Sequence, residues 1–101
     1  MGKTKVEPKT EYEITLLLKP DVTKADVLDE DDRVNTHFVV RNKSEHPAFV
    51  LPYKHQGYEE AYRLEYDAVQ RCENLNLSFF SHLLNVDDNV LRYLIVTKHR
   101  R

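Results

Sequence analysis

The chain has 101 residues, 41% hydrophobic and 32% charged, with a net charge of −2 and one cysteine, Cys72. That is one globular domain with apolar residues enough for a modest core. A single cysteine excludes an internal disulfide framework and a cysteine-built zinc site. No apolar run approaches the roughly 20 residues of a membrane span, and the charge balance excludes a uniformly basic nucleic-acid binder.

Residues 1–11 show no periodicity and read as a flexible arm. The arm lacks the apolar core of a secretory signal, and Val6 stands where myristoylation after Met1-Gly2 would need Ser or Thr. Tyr12 to Leu18 begins with alternation and becomes a continuous apolar run, which predicts a central strand stopped by Lys19-Pro20. Over residues 21–33, Asp21, Asp26, Asp29, Glu30, Asp31 and Asp32 face only Lys24 and Arg33, for a net −4. Thr23 can cap a short helix here, with Asp26 in its first turn and Ala25, Leu28 and Val22 as its apolar stripe. The acidic run predicts a solvated, frayed end, because negative charge opposes the C-terminal dipole.

Arg33–Arg41 alternates, with Val34, Thr36, Phe38 and Val40 on one side, and predicts a half-buried strand. Asn42–Pro47 is a polar break; Ala48–Tyr53 is apolar and extended. Lys54-His55-Gln56-Gly57 predicts a hairpin turn in which Gly57 supplies a positive φ. Tyr58–Tyr66 is the next strand, with Tyr58, Tyr62, Leu64 and Tyr66 on one side and a wet side carrying Ala61, Arg63 and Glu65. From Asp67, Cys72, Leu75, Phe79, Leu83 and Val86 form one stripe of a main helix ending near Asn85. Val90–Val96 is the last strand. The order strand, helix, strand, strand, helix, strand is that of the α+β, ferredoxin-like split βαβ fold: a four-stranded antiparallel sheet with helices on one face.

Many functions share that fold, and local sequence narrows them. Tyr12-Glu13-Ile14 runs into Leu18-Lys19-Pro20-Asp21. Phe49-Val50-Leu51-Pro52-Tyr53-Lys54 follows, with Gly57-Tyr58 opening the next strand. The chain ends on Asp88-Asn89-Val90-Leu91-Arg92-Tyr93-Leu94-Ile95-Val96-Thr97-Lys98. In this order the pieces resemble the S-six family of bacterial-type small-subunit ribosomal proteins, over residues 12–98. The resemblance implies a structural, non-enzymatic protein without cofactor or metal, paired with an S-eighteen-type ribosomal protein on small-subunit ribosomal RNA, among other ribosomal proteins. It carries Arg92, Lys98 and Lys54 over as RNA-side cations. Two departures stand out. The stretch between Pro20 and Pro52 is about two helical turns shorter than the family implies, which predicts a trimmed first helix. The glycine and basic pair that precede the family's "LAYP" segment are represented by Glu45, Pro47 and Ala48, so Arg41 or Lys43 stands in for that pair.

RNA is recognised through backbone and 2′-OH contacts and through stacked, unpaired bases. Tyr53, Lys54 and His55 at the hairpin, and His99, Arg100 and Arg101 in a basic tail over residues 99–101, suit both tasks. Tyr58, Tyr62 and Tyr66 fit core or interface better than a stacking stripe. His37, His46, His55, His82 and His99 lack metal-ligand spacing. Cys72 on an apolar stripe reads as a small buried hydrophobe. No RNP1 pattern, Gly-rich phosphate loop or serine–histidine elbow is present. Lys19-Pro20-Asp21 offers no arginine-bearing phosphate loop of the acylphosphatase kind. The alternative reading is a ferredoxin-like regulatory or protein-interaction module that dimerises through its sheet. A ribosomal location is expected, in mitochondria rather than plastids or bacterial cytoplasm, since a trimmed helix fits an organelle's remodelled ribosome; no membrane and no small-molecule substrate are implied.

Overall fold

The computed structural model describes residues 10–71 and 75–98. Cys72, the arm up to residue 9, and Arg100 and Arg101 of the basic tail lie outside the described residues. In chain order the elements are β1 (Glu11–Leu18), α1 (Lys24–His37), β2 (Phe38–His55), β3 (Tyr58–Gln70), α2 (Leu77–Asn85) and β4 (Val90–Lys98). The four strands form one antiparallel sheet in the order β2-β3-β1-β4, with both helices packed on the same face. The fold class is therefore the ferredoxin-like α+β arrangement that the element order predicts.

β1 is central. It pairs with β3, Glu11 opposite Val69 through Leu18 opposite Tyr62, and with β4, Glu11 opposite Lys98. Its even-numbered residues Tyr12, Ile14, Leu16 and Leu18 are all buried. They meet Val27 and Val34 of α1, Phe80 and Leu84 of α2, and Leu64 and Tyr66 of β3 in one core. Tyr12, Phe38 and Phe80 form an aromatic line through that core, with ring centroids 5.6 and 5.1 Å apart in edge-to-face geometry. The odd-numbered residues of β1 point to the other face, which neither α1 nor α2 covers.

The first helix corrects two expectations. It is neither short nor frayed: α1 has 14 residues and runs to His37, through the start of the expected strand at residue 33. Thr23 and Asp26 form a reciprocal capping box, with Asp26 N–H donating to Thr23 Oγ1 at 3.2 Å and Thr23 N–H to Asp26 Oδ2 at 3.0 Å. The buried stripe is Val27, Glu30 and Val34 rather than Ala25 and Leu28, and Leu28 is exposed. The acidic run lies inside the helix and holds it to the sheet instead of fraying its end. Arg33 Nη1 donates to Glu30 Oε1 at 2.7 Å and to Asp87 Oδ2 at 2.5 Å, joining α1 to the turn before β4. Asp31 accepts from Tyr66 Oη at 2.6 Å and from Lys43 Nζ at 2.7 Å.

The main helix also differs from its expected form. Residues 67–70 belong to β3, paired with the start of β1 and with Phe38–Val40 of β2. α2 starts later, capped by Asn76, whose side chain accepts from Phe79 N–H at 2.9 Å. Phe80 and Leu84 are buried while Phe79 and Val86 are exposed, so the apolar face is turned by one residue, about 100°, from the expected stripe.

The polar segment 42–47 does not break the chain; it is part of the 18-residue β2, and the ladder to β3 shifts register at Val40/Asn42, His46/Phe49 and Val50/His55. The turn itself is only Gln56-Gly57, both at positive φ (52° and 85°), the two-residue geometry that suits strand twist. The long hairpin gives the molecule its 59 × 25 × 22 Å outline. Its tip is tied down at His55, whose Nε2 lies 2.9 Å from the Leu91 carbonyl.

Two outcomes follow from this packing. Burial, then the neighbouring Asp87 carboxylate, raises the Glu30 pKa from 4.5 to about 8, against the opposing pull of Arg33. Below pH 4.5 Glu30 is protonated in both folded and unfolded chains. Between about pH 4.5 and 8 the unfolded chain ionises it while the fold retains the proton, so stability falls as pH rises across that window. Glu30→Gln keeps the hydrogen-bonding shape and cannot ionise. Its melting temperature relative to the parent chain should therefore rise between pH 5 and pH 8.5, by about 4 °C or more, the effect of roughly 1 kcal/mol in a domain this size. Calorimetry at the two pH values checks this. His55→Ala should speed amide exchange in residues 51–58 by roughly three- to tenfold, the equivalent of about 1 kcal/mol for one lost hydrogen bond, with exchange in β1 unchanged; hydrogen-exchange mass spectrometry reads both.

Candidate nucleic-acid interface

The face of the sheet away from the helices carries the outward residues of all four strands. The β2 arm of the hairpin curls toward the β1–β4 end, and between them lies a groove of about 310 Å³. Thr15, Leu17 and Leu94 form its apolar floor; Phe49, Leu51, Pro52 and Tyr53 form the β2 wall. Arg63, Lys54, His55 and Arg92 also line it, and no carboxylate does.

Each cation is held differently. Arg63 is packed with its guanidinium 4.6 Å from the centroid of the Phe49 ring, a cation–π contact. It also pairs with Glu65. Its Nε is buried with no hydrogen-bond partner among the described residues. Lys54 makes an exposed ion pair with Glu59 at 3.5 Å, a contact in full solvent that contributes little. Arg92 is exposed and has no ion pair or side-chain hydrogen bond among the described residues. His55 is engaged by Leu91 and acts to position the hairpin tip. Tyr53 is 84% exposed, its ring free of the core.

Of the residues expected to contact RNA, the structure brings Lys54, His55 and Arg92 together at this groove. Lys98 and Arg41 lie at the other end of the same face, among acids: Lys98 Nζ is 3.3 Å from Asp67 and 3.9 Å from Glu13, and Arg41 is 3.8 Å from Glu11. Lys43 is on the helix side of β2, bonded to Asp31 at 2.7 Å and Glu45 at 2.9 Å. Burial works against its charge, but the two carboxylates outweigh it and raise the Lys43 pKa. Glu45 in turn is held below the usual carboxylate range, first by the Tyr62 hydroxyl and then by Lys43. Lys43 therefore secures β2 to α1, and Arg41 and Lys98 are partly neutralised where they stand.

Arg63 and Phe49 are the site residues that sequence reasoning missed. The alternation along β3 puts Arg63 with Ala61 and Glu65, on a side read as wet. That reading overlooked Ala61, which is fully buried, opposite Phe49 in the ladder. A small residue between polar neighbours signalled that something packs across it.

Among the described residues no group of His, Cys, Asp or Glu could hold a metal ion, and no helix is long and apolar enough to cross a membrane. No family model and no curated protein matches the chain. The fold is similar to the crystal structure of 30S ribosomal protein S6 from Thermotoga maritima. The TM-score is 0.73 and the identity 14%, with 90% of this chain and 89% of that chain covered. At that identity the similarity establishes a common fold, extending over nearly the full length of both chains.

Proposed function

We propose that the protein is a structural constituent of the small ribosomal subunit that binds small-subunit ribosomal RNA beside an S-eighteen-type ribosomal protein, with no catalytic role. The observation that carries this reading is Arg92. It sits within the C-terminal motif that resembles the ribosomal family. It lies on the open sheet face beside Arg63 and Lys54, with no acidic partner among the described residues. An exposed guanidinium with no ion pair of its own among the described residues, in a groove lined by no carboxylate, is suited to phosphate oxygens. The fold similarity to a 30S ribosomal protein supports the same reading. Residues 12–98 act as the ribosomal domain, the arm 1–11 and tail 99–101 as its extensions, and Arg100 and Arg101 add cations at the β4 end. The ribosome in question is mitochondrial in this proposal, with other ribosomal proteins bordering the domain.

A second reading, a module that pairs through its sheet edge, draws on β4. That strand is an edge of the sheet, with no partner on its outer side among the described residues and with Leu94 57% and Val96 41% exposed. The two differ in salt response, since phosphate contacts release counterions and apolar edge pairing does not.

In a density gradient of cell or organelle extract, the protein should travel with small subunits at low salt and leave them as salt rises. Recovery only at the top of the low-salt gradient would sink the ribosomal reading. Arg92→Glu should cut retention on small subunits by roughly tenfold or more while leaving the circular-dichroism melt of the free chain unchanged. Wild-type retention would remove Arg92 from the contact.

A further inference from the structure

The groove is too small for a helix of RNA and well suited to one nucleotide. Its volume of about 310 Å³ falls at the lower end of ligand-sized pockets, roughly 300–1,000 Å³. We infer that it receives a single unpaired nucleotide of the RNA, its base against Tyr53 and the apolar floor and its phosphate between Arg92 and Lys54. This rests on the RNA-binding reading above and specifies which RNA feature is taken.

Three observations converge on it. The lining is cationic: it holds Arg63, Arg92 and Lys54 and no carboxylate, with Glu65 and Glu59 pairing Arg63 and Lys54 from outside it. Aromatic surface is available beside that charge, since the Tyr53 ring is 84% exposed on the wall. The Arg63 guanidinium is fixed in place by the Phe49 ring and by Glu65. Unpaired bases stack on aromatic rings and on guanidinium planes, whereas paired RNA offers its phosphates and minor groove. An acidic peptide would satisfy the cations and leave the tyrosine ring and the Leu17–Leu94 floor unused. A nucleotide uses both. The tie from His55 to the Leu91 carbonyl holds the wall over the floor, so the site is formed before the ligand arrives and little ordering cost falls on binding.

The test uses small subunits depleted of this protein and rebound with the full chain. Irradiation with ultraviolet light, followed by mass spectrometry of nucleotide-bearing peptides, should find an adduct on the segment Phe49–His55. Tyr53→Ala should weaken rebinding about tenfold, the effect of losing one stacked base, with the salt dependence unchanged. Tyr53→Phe should rebind as the parent does, because the ring is retained. The tyrosine is largely in solvent, and so its removal should leave the fold intact. Undiminished rebinding of Tyr53→Ala, with every adduct elsewhere on the chain, would overturn the nucleotide site while leaving the ribosomal reading in place. Failure of the parent chain to rebind at all would overturn both.

Discussion

The structure depends on the two-sidedness of β1. One set of its side chains, Tyr12, Ile14, Leu16 and Leu18, is sealed under α1 and α2, and both edges of its backbone are hydrogen-bonded to neighbours. Its other set faces outward. Among the described residues there are two helices, both used on the same side, and neither covers the outer face. That face is covered in part by the chain's own hairpin arm, which crosses toward it and leaves a groove instead of a second core. The candidate interface is thus a by-product of how the core is built, and its cations sit on strands whose positions the core sets.

Electrostatics explains how a chain of slightly negative charge presents a cationic groove. Several of its acids are spent internally. Glu30 and Asp87 share Arg33; Asp31 and Glu45 hold Lys43 and two tyrosine hydroxyls. Asp87 keeps its charge despite burial, because its hydrogen bonds to Glu30 and Arg33 outweigh desolvation, and its pKa is lowered; Glu30 moves the opposite way. The pair behaves as two carboxyls in a space that admits one charge. Net charge counts all four as free surface acids, whereas Glu30, Asp31 and Asp87 are largely withdrawn from solvent and Glu45, though exposed, is paired.

Much of the architecture was legible in the sequence, for identifiable reasons. β1 and β4 stand out as near-continuous apolar runs, and Gly57 sits where the backbone takes a positive φ. The errors fall where two periods coexist. Val34 and Phe38 fit a strand with Thr36 and Val40, and they are also one helical repeat apart. What decided for helix was the inward position of Glu30, whose charge hid it from any hydrophobic count. In α2, Phe79-Phe80 and Leu83-Leu84 are adjacent apolar pairs, so two stripes were available; packing against β1 and Phe38 buries Phe80 and Leu84, while the Asn76 cap fixes only where the helix starts. At the groove, Lys54, His55 and Arg92 were visible as cations near motif positions. Arg63 was not, because its importance comes from Phe49 across the ladder, a pairing that register shifts conceal.

The pairing of Glu11 with Lys98 has a consequence for biosynthesis. The first strand of the domain takes its last partner from the last strand of the domain. Until β4 has emerged, one edge of β1 stays unsatisfied and its buried face is incompletely walled, so the domain cannot close before β4 is available. The β2–β3 hairpin, local in sequence, can form earlier and wait. Closure therefore waits on β4, and the groove, which needs both the hairpin arm and β4, exists only once both are in place.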